Sequence, residues 1–385
     1  MNTSSLSSLA RAKFLCFGGC ATLLAVSSLA GQTSYTVVDL SAASGQYGMA
    51  YGTSGGQAAG AASSSPQAYV GAPSVSLVFP RAALWTGDGT TDLHPGTLLG
   101  GDPSNSGSAA YGFAGSLEVG MGYGPNTQSR GVALAWHDTA ARAAVLPVPF
   151  AASGSAALAT DGAQIVGWAQ PTTGKQFSRA LLWNAATGAA TDLGDAGNGG
   201  AFAVAVARGQ QVGYTSGGGK GSAAVLWNGT AKSLTVLHPK NADYSQATAT
   251  DGARQVGFSS ISVKAPGEPG NHGPVTVSYS SATLWKGTAA SAQNMGSPFD
   301  QSYALGISGN AVVGYGYNGK GVGAYATYHA LVWNATTFQT TDLNAFLPAG
   351  FTGAMATGVD AAGNVSGTII TPDGLPHAAV WLPNP

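Results

Sequence analysis

Charge is the scarcest property of this sequence. Asp, Glu, Lys and Arg together make up 8% of the 385 residues, against roughly 25% in an average soluble protein. The formal net charge is -1, and no block of Lys or Arg occurs that would attract a phosphate backbone. We therefore expect a surface wetted by Ser, Thr, Asn and Gln, and no nucleic-acid partner.

The first thirty residues predict an export signal. Arg11 and Lys13 form a short basic region, and residues 14–30 are almost wholly apolar or small. A basic start, an apolar run and small residues at its end are the marks of a secretory signal peptide. We predict that residues 1–30 are removed and that the mature protein is secreted, either outside the cell or into the periplasm.

Cysteine is absent after this segment, since both cysteines, Cys16 and Cys20, lie within it. The mature chain, residues 31–385, would then have neither disulfides nor a thiol nucleophile. No later run is long and apolar enough to cross a bilayer. We expect a soluble monomer without a membrane span.

A tryptophan phrase recurs through the chain, and no segment shows the 3.6-residue period of an amphipathic helix. Seven of the eight tryptophans end a five-residue phrase that has Ala three positions before the Trp. The phrases are RAALW, VALAW, RALLW, AAVLW, SATLW, HALVW and HAAVW, ending at Trp85, Trp136, Trp183, Trp227, Trp285, Trp333 and Trp381. Their spacings of 51, 47, 44, 58, 48 and 48 residues fall in the range of propeller blades.

Each unit has further landmarks around the tryptophan phrase. A recurring glycine lies upstream of it, at Gly60, Gly120, Gly167, Gly213, Gly257, Gly314 and Gly367. About ten residues earlier comes a recurring alanine, at Ala50, Ala110, Ala157, Ala203, Ala247, Ala304 and Ala356, with Gly or Ala two residues later. Small residues at period two describe one face of a strand. About ten residues after most of these tryptophans comes an apolar residue, often as Asp-Leu.

Four short strands per unit, seven times over, predict an all-β, seven-bladed β-propeller of four-stranded antiparallel blades. It would form a single domain over residues 31–385. Alanine and glycine let the innermost strands crowd around the axis, and the tryptophans fill the widening wedge between neighbouring sheets.

The two ends of the chain predict how the ring closes. Only residues 382–385 follow Trp381, so the last unit lacks its Asp-Leu strand. Residues 35–40 (YTVVDL) form such a strand with no tryptophan phrase before it. Pairing the first strand with the last unit would close the ring and cover two sheet edges.

The phrase HALVW ending at Trp333, followed by Asp342 and Leu343, resembles the bacterial extracellular HAF repeat family, which is named for a His-Ala-Phe phrase in each unit. The resemblance covers residues 35–385. Histidine is kept only at His329 and His377, and Leu, Val, Thr or Ala replaces the Phe. The resemblance implies a secreted repeat protein, and it brings no activity or catalytic residue to transfer.

The chemistry-bearing residues favour structural roles. Trp168, the one tryptophan outside the repeat, is expected to pack in the core or at the rim rather than to stack on a ligand. Four aspartates share one repeat position and are predicted to cap the outer strand: Asp39, Asp92, Asp192 and Asp342. The inner strands carry no carboxylate pair of the kind that glycosidases use. The six histidines lack metal-ligand spacing, and no nucleophile elbow occurs, so we predict no catalytic residue, cofactor or metal.

Three long connections suggest a ligand-binding face. Residues 61–80 and 258–280 lengthen two second-to-third strand loops, and residues 94–106 lengthen a loop between blades. In a propeller these loops share one face, and insertions gathered on one face often mark the binding face. The candidate ligand-face residues are His94, Asp102, Tyr244, Lys264, Glu268 and His272.

The sequence leaves three functional hypotheses open. The first is a secreted, non-enzymatic binding module that holds an unidentified polar partner, a glycan or a peptide, on the long-loop face. The second is a carbohydrate-binding or carbohydrate-active propeller, either a lectin or a lyase or hydrolase. The third is a structural repeat protein of the cell surface.

Overall fold

The computed structural model describes residues 34–42, 44–67, 76–77, 79–87, 89–102, 104–195, 199–217, 220–265, 275–319 and 327–384. The predicted export signal lies outside these residues. Seven four-stranded antiparallel sheets form within them, each with its strands in the order first to fourth from the centre outwards. The predicted seven-bladed propeller is therefore confirmed.

The strands follow the chain from blade to blade. The chain enters at β1 (Tyr35–Asp39). Blade 1 contains β2 (Tyr47–Ser54), β3 (Gln57–Ser63), a side hairpin of β4 (Pro66–Gln67) and β5 (Ser76–Leu77), then β6 (Arg81–Thr86) and β7 (Gly89–Asp92). Blade 2 contains β8 (Gly107–Ala114), β9 (Leu117–Tyr123), β10 (Val132–Trp136) and β11 (Ala144–Val145). Blade 3 contains β12 (Ala152–Thr160), β13 (Gln164–Pro171), β14 (Arg179–Asn184) and β15 (Ala190–Gly194).

The second half of the ring repeats the plan. Blade 4 contains β16 (Gly199–Ala207), β17 (Gln210–Gly217), β18 (Lys220–Trp227) and β19 (Thr235–Val236). Blade 5 contains β20 (Tyr244–Thr250), β21 (Gln255–Ala265), β22 (Val275–Trp285) and β23 (Gln293–Asn294). Blade 6 contains β24 (Gln301–Ser308), β25 (Ala311–Tyr317), β26 (His329–Asn334) and β27 (Thr340–Asp342), and blade 7 contains β28 (Gly353–Val359), β29 (Val365–Ile370) and β30 (Pro376–Pro383).

Within the described residues, helical structure is confined to single turns in connections. The α-helical turn α1 (Gly96–Leu99) lies between blades 1 and 2. The 3-10 turns are Pro125–Thr127, Ala140–Arg142, Ala231–Ser233, Ala289–Ser291 and Leu343–Phe346. None of the described helices is long and apolar enough to cross a membrane.

The recurring glycine lies opposite a β-bulge in the inner strand. In every blade the register between the first and second strands shifts just after the recurring alanine, as between Ala50 and Gly52 in blade 1. The bulge presses an inner-strand carbonyl oxygen onto the partner strand, so a Cβ at Gly60 would lie 2.0 Å from the Met49 oxygen. Only glycine permits that approach, which explains why it recurs in all seven blades.

The hydrophobic core is divided among the contacts between blades. The seven phrase tryptophans are at most 2% exposed. One cluster joins Ala82 and Leu84 of blade 1 to Leu134 and Trp136 of blade 2, and the same plan recurs around the ring. The tryptophans therefore fill the wedges between sheets, as predicted.

A buried hydroxyl ties most blades to the next. The backbone N–H of the phrase alanine donates to a serine on the first strand of the following blade, as from Ala82 to Ser108 Oγ at 2.9 Å. The same bond joins Ala133 to Ser155, Ala224 to Ser245 and Ala282 to Ser302. Where blade 1 has Gly48 at the serine position, Ser41 supplies the acceptor to Ala378 at 3.0 Å. A Cβ on Gly48 would lie 2.8 Å from that Ser41 oxygen.

The ring closes through its first strand. Strand β1 pairs antiparallel with β30, in register from Tyr35 opposite Pro383 to Asp39 opposite Ala379. His377 Nδ1 lies 2.8 Å from Asp39 Oδ2 across this junction. The prediction that the N-terminal strand completes the last blade is confirmed.

Candidate functional site

The disc has two unlike faces. We call the side that carries the hairpin turns inside each blade, between first and second and between third and fourth strands, the turn face. The loop face carries the connections after each second strand and the connections between blades. Contacts between these two kinds of connection confirm that they share a side: Asn126 Nδ2 donates to Leu98 O at 3.3 Å, and Thr172 N donates to Ala151 O at 3.0 Å.

The loop face differs from the sequence prediction at blade 5. Residues 258–280 were expected to be mainly a long loop. Instead β21 and β22 stay paired from Gln255 opposite Trp285 out to Ala265 opposite Val275, so most of the extra residues extend the two strands. Alternating β-branched and serine residues continue the ladder, and Ser260 and Ser280 share a 2.7 Å hydrogen bond across it.

Exposed apolar side chains gather on the loop face. Five large hydrophobic side chains are between 38% and 50% exposed there: Phe79, Phe177, Tyr244, Ile261 and Val263. The remaining two exposed ones among the described residues, Val145 and Val236, lie on the outermost strands of blades 2 and 4. The described part of the turn face contributes none.

Two of the predicted ligand-face residues lie between blades 1 and 2. His94 is 5% exposed, and its Nδ1 and Nε2 lie 2.8 and 3.2 Å from the hydroxyls of Ser108 and Ser106. Burial, with the nearby Arg81 charge, lowers the pKa of His94. Its ring therefore ties the two blades together as a neutral imidazole. Asp102 is exposed and caps its own turn by accepting the backbone N–H of Ser104 at 2.7 Å.

The other described candidates lie in blade 5. Tyr244 is 44% exposed and begins the inner strand, and its ring lies against Gly221. Lys264 is an exposed residue of the extended hairpin, opposite Thr276. Glu268 and His272 lie outside the described residues. Blade 5 is three blades away from the blade 1–2 junction in either direction, so these candidates occupy opposite sides of the loop face.

A cleft of about 350 Å³ opens on the loop face between blades 2 and 3. Its walls are Met121 and Tyr123 of β9 and Trp168 of β13, and its other lining residues are Ser129, Gly131, Gly154 and Ser155. Trp168 is half-buried: its ring packs against Phe202 of blade 4 with centroids 5.7 Å apart, and it also lines the cleft. The cleft was not predicted from the sequence.

An aromatic cluster lies at the loop-face end of blade 6. The rings of Tyr303 and Tyr315 stack with centroids 5.0 Å apart, and Tyr317 and Tyr328 pack against them. Phe258 of blade 5 meets Tyr303 edge-on at 4.8 Å. Burial raises the pKa of Tyr315 and Tyr317 above the ordinary tyrosine range. These phenols therefore stay neutral and serve packing.

Four side-chain pairs of an Arg or a His with an Asp, missed at the sequence level, brace the outer strands. The first residue of the tryptophan phrase pairs with the aspartate of the fourth strand, as Arg81 with Asp92 at 2.5 Å and His329 with Asp342 at 2.7 Å. Arg179–Asp192 and His377–Asp39 complete the set. Each aspartate also caps the turn after its strand, as predicted. The signal was present, since only units whose phrase begins with Arg or His carry the aspartate.

The axis of the ring carries no charged side chain. All seven inner strands are described, and none contains Asp, Glu, Lys, Arg or His. The bulged residues around the axis are Tyr51, Tyr111, Leu158, Val204, Thr248, Leu305 and Thr357. Across the described ranges, no three His, Cys, Asp or Glu side chains lie close enough together to hold a metal ion.

Three solved structures that are similar to this chain serve as the comparison. An oligogalacturonate lyase from Vibrio parahaemolyticus is 11% identical with a TM-score of 0.47, over 94% of this chain and 96% of the other. A puromycin hydrolase is 11% identical with a TM-score of 0.48, over 85% of this chain and 50% of the other. The propeller domain of the Trilobed protease from Pyrococcus furiosus is 10% identical with a TM-score of 0.46, over 69% of this chain and 79% of the other. No family model and no curated protein matches the chain.

Proposed function

We propose that this protein is a secreted, non-enzymatic binding module that holds its partner on the loop face. The observation that carries the proposal is the placement of exposed apolar side chains, since Phe79, Phe177, Tyr244, Ile261 and Val263 all lie on that face. Exposed apolar groups cost free energy in water, and all five of these side chains lie on the same side of the disc, which is where we expect a partner to cover them.

The polar content of the loop face fits an uncharged or weakly charged partner. Its described connections are rich in Ser, Thr, Asn and Gly, which adapt their hydrogen bonds to a partner without strong fields. A binding face of aromatic anchors among small polar residues is the composition that recognition loops favour.

A binding role also agrees with the uncharged axis. Hydrolysis by paired acids needs two carboxyl groups a few ångströms apart, and the inner strands have none. The turn aspartates Asp161, Asp251 and Asp360 accept hydrogen bonds from backbone N–H groups. The basic and apolar segments of residues 1–30 support export.

Site-specific photo-crosslinking tests the face. A benzophenone amino acid is placed at Phe177 or Ile261 on the loop face, and at the exposed turn-face positions Ser116 or Ala253 as matched controls. After irradiation in the source organism's culture medium, we expect one common partner from both loop-face positions and none from the controls. Adducts from the turn face, or from neither face, would overturn the proposal.

Two further measurements separate the alternatives. Mass spectrometry after incubation with a glycan panel looks for released products, and product release would overturn the non-enzymatic assignment. Light scattering reports on assembly. We expect a monodisperse monomer, whereas concentration-dependent self-assembly would favour a structural protein of the cell surface.

A further inference from the structure

We propose that the cleft between blades 2 and 3 binds a neutral saccharide, with a sugar ring stacked on Trp168. The inference rests on the proposed function, because it assigns the loop face a ligand class and a position. The proposed site uses Trp168, the one tryptophan outside the repeated phrase.

In two of the seven blades an aromatic side chain fills the space that the cleft occupies here. Between blades 3 and 4, Phe202 fills the equivalent space, with its ring 5.7 Å from that of Trp168 and 3.3 Å from the Cβ that Gly200 would carry. Between blades 5 and 6, Tyr303 packs against Phe258 in the same way. The residues of blade 3 at the positions of Phe202 and Gly200 are Ala156 and Gly154.

An alanine methyl at position 156 cannot reach across this gap. Met121 of blade 2 and Trp168 of blade 3 are therefore left facing the cleft without a ring between them, and Gly154 remains uncovered at its edge. At Gly154 an added Cβ would meet only the Gly131 oxygen, at 3.6 Å. A ring supplied from outside would take the place that Phe202 holds between the next two blades.

The lining selects an uncharged ligand. No charged side chain lines the cleft, so an ionic ligand would lose its hydration without gaining a counter-charge. The volume of about 350 Å³ lies at the lower end of the roughly 300–1,000 Å³ of small-molecule sites. Both facts fit one or two neutral sugar rings.

The hydroxyl groups favour a sugar over an aromatic peptide side chain. Within the described residues neither Tyr123 Oη nor Ser129 Oγ has a hydrogen-bond partner. A sugar ring would stack its apolar C–H face on the Trp168 indole. Its hydroxyls, at the edge of the ring, would then bond to Tyr123 Oη and Ser129 Oγ. An apolar side chain would cover them without pairing them, which costs free energy.

The chain offers a built-in probe, because all eight tryptophans are described and only Trp168 is more than 2% exposed. Acrylamide should therefore quench Trp168 and leave the other seven largely unaffected. The protein is first screened on an array of neutral oligosaccharides of glucose, mannose, galactose and xylose, with galacturonate oligomers as the charged comparison. The best binder is then titrated while tryptophan quenching is followed.

We expect a neutral oligosaccharide to be retained and to protect Trp168 from acrylamide, with galacturonate oligomers bound more weakly. Trp168→Ala should weaken binding about tenfold or more, and Trp168→Phe should restore part of it. Gly154→Val should block the cleft without straining the backbone. Gly353→Val, at the equivalent position of blade 7, is the matched control and should bind as the parent does. Melting curves confirm that each variant is folded.

Retention that survives both Trp168→Ala and Gly154→Val would overturn the cleft while leaving the loop-face proposal standing. Retention of no neutral oligosaccharide would likewise overturn the saccharide inference, and the crosslinking experiment would then decide the face alone. Cleft-dependent binding of an aromatic or proline-rich peptide instead of a sugar would replace the ligand class.

Discussion

The turn face and the loop face of this propeller differ in how their side chains are used. On the turn face, neighbouring blades are joined by side chains: Arg208 N donates to Asp161 Oδ2 at 3.2 Å, and Gly56 N donates to Asp360 Oδ2 at 3.1 Å. Gln255 and Gln211 reach the glutamines of the preceding blades at 2.7 and 3.0 Å. On the loop face, exposed apolar side chains and the cleft between blades 2 and 3 face the solvent.

The contrast shows that the turn face is the surface more committed to the fold. Hydrogen-bond groups of the turn face are used between blades, so few remain for a partner. The loop face also joins blades, as at His94 and Asn126. It nevertheless leaves large apolar and aromatic side chains exposed to solvent, and most of the extra residues of blade 5 extend one hairpin. Three sets of variants test this contrast between the faces, beginning with the one that should change stability most.

Removing the closing strand should have the largest effect. Deleting residues 31–41 takes away β1, the His377–Asp39 pair and the Ser41 acceptor, and it opens the ring. We expect the free energy of unfolding to fall by more than about 4 kcal/mol, or cooperative unfolding to be lost, as measured by circular dichroism in urea.

The control shortens the loop face instead. Replacing residues 262–278 with a two-residue turn keeps Ile261 opposite Tyr279 and removes the outer part of the blade 5 hairpin. We expect a change of less than about 1 kcal/mol. If the protein lacking residues 31–41 melts like the parent, our account of closure is wrong.

Glu118 should give a pH-dependent effect of intermediate size. It is 0% exposed; Oε2 accepts the Asp138 N–H, and Oε1 has no partner among the described residues. Burial raises the pKa of Glu118 to about 7, so the folded protein penalises the ionised form. That penalty is absent below about pH 4.5, grows between pH 4.5 and 7, and is complete above pH 7. Glu118→Gln should therefore stabilise by about 1–3 kcal/mol at pH 8 and by little at pH 4.

The reciprocal change is the control. Gln211 occupies the same repeat position in blade 4; its Nε2 donates to Gln164 Oε1 and Gly209 O, and its Oε1 accepts the Gly229 N–H. Gln211→Glu places a carboxylate oxygen against two acceptors, so it should destabilise most at high pH. Equal stability of the Glu118→Gln protein and the parent at pH 8 would contradict the penalty.

The smallest effect compares two turn aspartates. Asp161 accepts N–H groups from Ala163, Gln164 and, in the next blade, Arg208. Asp161→Ala should cost about 1–2 kcal/mol of unfolding free energy. Asp102 accepts only within its own turn, from Ser104, so Asp102→Ala should leave the unfolding midpoint in urea unchanged. Similar losses in both variants would erase the contrast between the faces.

Much of the fold was predictable because it is periodic. Seven tryptophan phrases, seven recurring glycines and an orphan Asp-Leu strand at the start predicted the blade count, the strand count and the closure. Such landmarks are local, and each blade must satisfy the same packing. The blade 5 insertion was misjudged as a loop because Ser, Val and Ile in alternation continue a hairpin only when both arms are in register.

The candidate site was less predictable because it depends on what is missing between two blades. Ala156 looks like any other small residue of an inner strand. Its significance appears only when Phe202 is seen to fill the same place one blade further on. Similarly, His94 looked available for binding until its ring was found beside the hydroxyls of Ser106, in the same connection, and Ser108, on the first strand of blade 2.

The repeat follows from the sequence alone: which residues are small, which are large, and that the first strand belongs to the last blade. These follow from the geometry of sheets packed around an axis, which every blade shares. Which polar groups are used between blades, and where a gap is left, depends on the tertiary structure. Those properties belong to pairs of side chains from different blades, and their distances are fixed by how the whole ring packs.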